Sequence, residues 1–557
     1  MLLVRRPLVR CVVWFRHLSS AATVEVENEP CLNYLKGSEE RQKVEEALKE
    51  LRSKTEEIPC VIGGEEIFTG DIHYQVCPHN HQHKLAKFHY ASADHIRLAI
   101  DRSLAIRAGW EKRPMAERAD IFLEAARLLS EKYRYKMLAA TMLGQGKNIQ
   151  QAEIDAAAEL IDFWRWNAKH SLDLQKQQPI STEGVTNSVI YRGLEGFVAA
   201  VSPFNFTAIG GNLSGAPAMM GNVVLWKPSD TAMLSSWIAY NIMREAGLPE
   251  GVINFVPADG PTFGDTITSS PHLAAINFTG SVQTFQHLWR QVGQNLGLYR
   301  TFPRLVGECG GKNYHFVHSS ADMESVANGT IRSAFEYGGQ KCSACSRMYV
   351  PTSMWPKLKD ELLSRVKEVK MGDADDFTTF ISAVIDDKSF GRIKNWLDHA
   401  RSSPNLNVIA GGNCDDSRGY FVEPTIIETS DPREKIMQEE IFGPVLTVYP
   451  YPDEKYREVL EMVNETSPFG LTGAVFAKDV NVVKEAHEIL KMSAGNFYIN
   501  DKSTGSVVMQ QPFGGARLSG TNDKAGGPHY VLKFCSPQSI KESHVPLADW
   551  KYGNMQA

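Results

Sequence analysis

Several features are missing from these 557 residues, and each absence closes off a class of function. No run reaches the roughly 18 apolar residues that a membrane-spanning helix needs. Positive charge is not in excess: 59 Lys and Arg against 65 Asp and Glu leave a net charge of -6, which argues against the basic face of a nucleic-acid binder. The nine cysteines show no framework spacing, so a reducing compartment fits better than a disulfide-stapled secreted fold. No Gly-x-Gly-x-x-Gly follows any β-rich run, so the usual dinucleotide fingerprint is absent. There is no internal repeat and no low-complexity tract. Nor is there any acid before Glu25. Arg5, Arg6, Arg10 and Arg16 interrupt the apolar residues there, which suits a mitochondrial presequence over residues 1–22. The longest uninterrupted apolar run in it, residues 11–15, falls short of the signal-peptide core of about seven.

What is present reads as a globular α/β protein of two or three domains, with 43% hydrophobic and 22% charged residues. Residues 33–52 are charged and helical, and residues 59–77 alternate, with Gly-Gly and Thr-Gly turns that predict short strands. Apolar residues three and four apart predict helices over 92–109, 115–133, 135–143 and 148–170. From residue 195 the pattern changes. GFVAAVSPFNF, GNVVLWKPSD, GVINFVPADG and HLAAINFTGS are short β-rich runs separated by helical segments, the alternation of βαβ units and a parallel sheet.

The densest chemistry lies at 335–347, FEYGGQKCSACSR. Gly338 and Gly339 free the backbone before Cys342, Lys341 adjoins it, and Ser343 and Ala344 are small, so a substrate carbon can approach the sulfur. A free thiol is only a few per cent thiolate at neutral pH, and a nearby cation or backbone N–H groups would raise that fraction. A packed structural cysteine fits the same residues. CSAC has the CxxC form, but no second CxxC or nearby His pair completes a zinc site, so no metal is expected and Cys345 reads as a packed neighbour. FTGS at 278–281 ends a strand at a probable helix start, whose free N–H groups suit a pyrophosphate or a plain turn. Glu159 and Asp162 lie about one turn apart, on their own a solvated acidic face.

Asn205, Glu308 and Cys342 are ordinary one by one, but their contexts and order are specific. FNF at 204–206, KPS at 227–229, FTGS at 278–281, ECGGK at 308–312, GQKC at 339–342 and EIFGP at 440–444 resemble, in that order, the motifs of the aldehyde dehydrogenase superfamily. The resemblance runs from about residue 60 to 540. It implies Cys342 as nucleophile, the Asn205 amide and the Cys342 N–H as donors to the oxyanion, and Glu308 as general base for the deacylating water. It further implies Lys227 at the adenine-side ribose, Gly280 and Ser281 at the pyrophosphate, Glu440 at the nicotinamide ribose and Phe442 against the nicotinamide. The cofactor so implied is NAD, preferred over NADP, with Asp230 near the ribose only suggestive.

Longer markers, GQKCSACSR, ECGGKN, AEIDAAAELIDFWRWN and GNFYINDKSTGSVV, are similar to the branch that oxidises L-glutamate γ-semialdehyde to L-glutamate in the mitochondrial matrix, the second step of proline breakdown. On that resemblance Ser343, Gly505 and Ser506 hold the substrate carboxylate, Glu159 lies near the reacting end or the ammonium, and Phe206 and Phe513 flank the methylene stem. Met509 and Leu518 stand where that branch usually has Gly and Ala, and Tyr314 is a milder departure. A positive φ at residue 509 would strain the anchor loop by roughly 1 kcal/mol or more.

The fold implied is the aldehyde dehydrogenase fold, a Rossmann-like NAD domain with an α/β catalytic domain and a small β oligomerisation flap. Its expected divisions are a helical N-terminal part at 23–175, the flap at 176–194, the NAD-binding core at 195–312, the catalytic domain at 313–500, a substrate anchor loop region at 501–528 and a C-terminal oligomerisation strand and tail at 529–557. A homodimer follows from unpaired flap edges, with a small-molecule substrate and no nucleic acid or membrane as partner. An enzyme for a different small aldehyde, or a catalytically silent protein retaining the fold, are the alternatives.

Overall fold

A computed structural model describes residues 24–555, so the presequence expected at 1–22 lies outside the described residues. Two seven-stranded sheets dominate it. The first runs, edge to edge, Arg304–Glu308, Leu273–Thr279, Phe197–Val201, Val223–Lys227, Ile253–Phe255, Cys60–Ile62 and Glu65–Ile67. Its first five strands are parallel and the last two antiparallel. Every residue of Leu273–Thr279 is buried, which is why such strands read as continuous apolar runs rather than alternating ones: both faces are covered by helices.

The second sheet runs Leu406–Ala410, Thr425–Thr429, Val445–Tyr451, Cys345–Pro351, Asn313–Val317, Thr472–Phe476 and Asn496–Ile499, parallel except for the first strand. A three-stranded sheet, Glu56–Ile58, Asn80–His89 and Ile72–Cys77, and a pair of antiparallel strands, Val185–Arg192 with Ser536–Ser543, are smaller.

The strand order locates the site. In the parallel part of the first sheet the chain starts at Phe197–Val201, moves to Val223–Lys227 and Ile253–Phe255 on one side, then crosses back to Leu273–Thr279 on the other. A crevice opens between the carboxyl ends of Phe197–Val201 and Leu273–Thr279, where connections diverge. The second sheet meets this crevice with the opposite ends of its strands: residues just before Cys345–Pro351, Val445–Tyr451 and Thr472–Phe476 form the facing wall.

The helices differ from the sequence reading in one informative place. Ala93–Lys112 starts at a Ser92 and His95 capping box, and Arg134–Gln145 ends on Gly146 at φ 72°. The single helix predicted over 148–170 is instead Ile149–Ala152, a π-helical segment Glu153–Glu159, and Leu160–Gln175. Its extra residue per turn lets Asp155 turn inward, where its carboxylate accepts hydrogen bonds from the N–H groups of Thr207 and Ala208 (3.0 and 2.9 Å) and pairs with buried Lys147 at 2.7 Å. No helix among the described residues is long and apolar enough to cross a membrane.

Candidate active site

Cys342 sits between the helical turn ending at Gly339 and the strand Cys345–Pro351. The backbone before it is unusual: Tyr337, Gly338 and Gly339 all have positive φ, at 55°, 62° and 66°. At Gly339 a Cβ would fall 2.1 Å from the carbonyl oxygen of Gly443, so only glycine lets this turn close against the second sheet. Asn313, next to the ECGGK motif, then fixes the segment from the far side. Its Nδ2 donates to the carbonyls of Cys342 and Ala344 (2.6 and 2.9 Å), while its Oδ1 accepts from the Thr472 N–H. Lys341 does not serve the thiol as a counter-charge. Its ammonium is 2.7 Å from Glu336, which also pairs with Arg332. Burial, with the Glu308, Glu440 and Glu159 carboxylates, pushes the Cys342 thiol well above its ordinary range. Burial thus favours the thiol form of the resting sulfur.

Asn205 lies on the turn that joins Phe197–Val201 to the helix Thr207–Met219. Its Nδ2 donates to the Gln340 carbonyl at 3.0 Å, tying the turn to the nucleophile loop and leaving the second amide N–H free of that bond. The turn is braced from behind. Asp155 caps the helix, Gln145 donates to the Phe204 carbonyl at 2.6 Å, and the Lys147 ammonium lies 4.0 Å from the Phe206 ring centroid and 4.7 Å from that of Tyr337. Phe206 is thus held by a buried cation, a contact that no sequence spacing shows.

Glu308 ends the strand Arg304–Glu308, and Glu159 ends the π-helical segment. With Phe513 they line one small chamber of about 30 Å³, room for a water or two. Burial raises both carboxyls to about 8; Lys524 opposes the shift at Glu308, and Lys147 and Lys341 oppose it at Glu159. Asp162 faces elsewhere: it accepts from the Asn28 side chain and the Glu29 N–H, both at 2.7 Å. The two acids that looked like one solvated face turn inward toward different partners, Asp162 fully buried and Glu159 half-buried.

The crevice itself is a cleft of about 830 Å³, within the range of about 300–1,000 Å³ that holds small-molecule ligands. Cys342, Asn205, Gly280, Ser281, Glu440 and Phe442 all line it. Ser281 caps the helix Val282–Gln294 by accepting from the Thr284 N–H at 3.2 Å, so the helix start opens into the cleft. Glu440 accepts from the Gly311 N–H at 2.9 Å and is held near 7 by burial; a Cβ at Gly310 would strike its carboxylate at 2.1 Å. Phe442, at φ 56°, meets Phe204 edge to face. An anion-compatible helix start, an acid at the far end and apolar walls from Phe278, Val282 and Phe469 fit a dinucleotide. Lys227 ends its strand behind this wall, its ammonium 3.4 Å from the Pro228 carbonyl, and Ser229 lines the cleft beyond it. Asp230 is turned to the Tyr90 hydroxyl.

Ser343 is buried beside the nucleophile. Its carbonyl accepts from the Thr472 and Ser503 hydroxyls at 3.2 and 3.3 Å, which joins it to the loop carrying Gly505 (φ 86°) and Ser506. Met509 follows at φ 68°, so the strain expected there is present. Leu518 is exposed and lines the cleft, and Tyr314 is fully buried with its hydroxyl 2.7 Å from Ser493. Sequence reading missed Asn313, Gln145, Lys147 and Asp155. Asn313 adjoins a motif and was within reach; the others act through tertiary contacts alone.

A profile described as the aldehyde dehydrogenase family matches residues 69–540. A zebrafish (Danio rerio) protein, "Delta-1-pyrroline-5-carboxylate dehydrogenase, mitochondrial", is 65% identical over 96% of this chain and 97% of its own. The human protein of the same description is 64% identical over 100% of this chain and 98% of its own. Among solved structures, the Delta-pyrroline-5-carboxylate dehydrogenase of Mycobacterium tuberculosis bound with NAD superimposes with a TM-score of 0.93 at 44% identity, covering 97% of this chain and 100% of that one. The cleft between the two sheets, with a cysteine and an asparagine at its floor and a helix start at its rim, is thus the site of a chain that belongs to the aldehyde dehydrogenase family.

Proposed function

We propose that this protein is a mitochondrial, NAD-dependent dehydrogenase that oxidises L-glutamate γ-semialdehyde, the ring-opened form of Δ1-pyrroline-5-carboxylate, to L-glutamate. One observation carries the reaction class: Cys342 and Asn205 open onto the same cleft as Gly280, Ser281 and Glu440, so a thiol, an amide donor and a dinucleotide groove meet. The substrate rests on the descriptions of relatives alike over essentially the whole chain.

In this reading the Cys342 thiol gives its proton to water and the thiolate sulfur adds to the aldehyde carbon, the carbonyl π electrons moving to the oxygen to give a tetrahedral adduct. The Asn205 amide and the Cys342 N–H stabilise the oxyanion, each such donor being worth about 2.7–4 kcal/mol. Bound NAD would supply the acceptor for the hydride leaving this carbon. Glu308, in its ionised form, accepts a proton from the water that hydrolyses the remaining thioester on Cys342. Lys227, Gly280, Ser281, Glu440 and Phe442 hold the cofactor; Ser343, Gly505 and Ser506 hold the substrate carboxylate; Glu159 faces its reacting end or ammonium, and Phe206 and Phe513 its methylenes. The first sheet with residues 23–175 serves cofactor binding, residues 313–500 catalysis, and the strand pair Val185–Arg192 with Ser536–Ser543 assembly into a homodimer.

The test is NADH absorbance with purified protein on semialdehyde and on a simple aliphatic aldehyde of similar length. Turnover should strongly favour the semialdehyde and vanish in Cys342→Ala. Equal rates on both aldehydes would overturn the substrate, and activity persisting in Cys342→Ala the mechanism.

A further inference from the structure

The segment 519–525 does two jobs that no motif assigned to it. Around Glu308 it forms a short ladder: the Cys309 N–H donates to the Ser519 carbonyl at 2.8 Å, the Thr521 N–H to the Gly307 carbonyl at 2.9 Å, and the Gly307 N–H to the Thr521 hydroxyl at 2.9 Å. Glu308 is thus fixed on both flanks. At its other end the segment holds the anchor loop, since the Phe513 N–H donates to the Ala525 carbonyl at 2.9 Å. Between these contacts stands Lys524.

The Lys524 ammonium donates to the Gly495 carbonyl at 2.6 Å, to Asn496 Oδ1 at 3.2 Å and to the Gly514 carbonyl at 3.2 Å. These acceptors are the two ends of one loop, whose interior carries Gly505, Ser506 and Phe513. Asn496 repeats the closure, donating to the Pro512 carbonyl at 3.1 Å and accepting from the Gly514 N–H at 3.2 Å. Lys524 itself has φ 57°, a left-handed conformation that a non-glycine residue keeps only when its contacts demand it.

We infer that Lys524 is a positioning residue: its three hydrogen bonds close the substrate anchor loop onto the segment 519–525 that ladders to both flanks of Glu308, and so couple that loop to Glu308. This rests on the reading of Glu308 as the base that activates water. Among the described groups that act on Glu308, Lys524 is the cation. Asp523 carries the wrong sign and is turned to Lys533 at 2.7 Å; Glu159, across the chamber, is a second acid; Cys309, Cys342 and Tyr530 bring no positive charge. Burial lifts the Glu308 carboxyl, Lys524 works against that lift, and Glu308 in turn favours the charged form of Lys524.

The experiment compares wild type, Lys524→Met, Lys524→Arg and Glu308→Gln, with acyl-enzyme decay followed by rapid quench from pH 6 to 9.5 and the NADH burst recorded alongside. In Lys524→Met the midpoint of the decay profile should rise by about one pH unit, slowing decay at pH 7 about tenfold, with the burst changed less than twofold. Lys524→Arg should return the midpoint to the wild-type value. The KM for semialdehyde should rise in Lys524→Met more than the KM for a simple aliphatic aldehyde. Should Lys524→Met fail to fold, Lys524→Gln, which keeps a donor and loses the charge, carries the same expectation. A Lys524→Met profile superimposable on wild type, or burst and decay falling together in both Met and Arg variants, overturns the inference. Acyl-enzyme decay unchanged in Glu308→Gln would instead overturn the base assignment, and the inference with it.

Discussion

Three carboxyls, Glu308, Glu159 and Glu440, stand close to Cys342, and burial holds all of them above their ordinary value near 4.5, at about 8, 8 and 7. For catalysis the sign is plain. If Glu308 is the base, acyl-enzyme hydrolysis in the wild type should climb about tenfold per pH unit below about 8 and level off above it. For stability the same shift acts the other way. A carboxyl whose folded pKa is raised favours the folded state fully below its unfolded value, and that contribution is lost as pH rises through about 8. Glu308→Gln should therefore be more stable than wild type at pH 8.5, by about 1–4 kcal/mol, with the gap shrinking as the pH approaches 5. Urea midpoints of the two proteins at both pH values check this, and equal midpoints at pH 8.5 would mean that Glu308 ionises at no cost in the fold. Stability gained by removing a buried ionisable group is what a site poised for the proposed base role predicts.

At the level of elements, the π-helical segment and the loop around Met509 hold conformations that tertiary contacts fix. Asp155 meets a buried ammonium and caps a buried helix start, so Asp155→Ala leaves Lys147 unpaired and two N–H groups without an acceptor. The expected loss is about 3–5 kcal/mol in unfolding free energy, read from denaturant midpoints. At Met509 the left-handed backbone orders the substitutions: Val should be less stable than Met by at least about 1 kcal/mol, and Gly at least as stable as Met. The reverse order in thermal melts would show that residue 509 relaxes to negative φ in solution. These elements also show what a sequence can disclose. The helix over 148–170 was visible from its apolar spacing, yet its π turn was not, because the cause lies in Thr207 and Ala208, some fifty residues on. The strained loop was visible, because Met in place of a usual Gly is a local signal.

For the molecule as a whole, the parallel sheets were legible because strands covered on both faces show as apolar runs whatever surrounds them. That the two sheets meet with opposite strand ends was not, since no local pattern encodes which end of a strand faces a cleft. Cys342, Asn205 and Glu440 were legible through motifs; their shared cleft needed the topology. The strand pair Val185–Arg192 with Ser536–Ser543 is a different case. It is a two-stranded sheet, and such a pair is at best marginal alone. Residues 178–182 meet the outer edge of Val185–Arg192, through the Thr182–Val185 bridge and the Asn187 and Val189 N–H groups donating to Ser181 and Gln178, while Ser536–Ser543 keeps its outer edge without a strand partner among the described residues. Just beyond it Val545, Leu547, Trp550 and Tyr552 are exposed at 65%, 88%, 76% and 71%, a run of apolar surface that a single chain leaves in water. The homodimer proposed above would answer both needs. Light scattering on the full protein should give about twice the mass of one chain. Ser539→Pro, in mid-strand opposite Val189, removes a backbone donor from the pair or from its outer edge and should shift the mass toward that of a single chain as concentration falls. A single-chain mass for the unaltered protein at every concentration would assign this strand pair a role other than assembly.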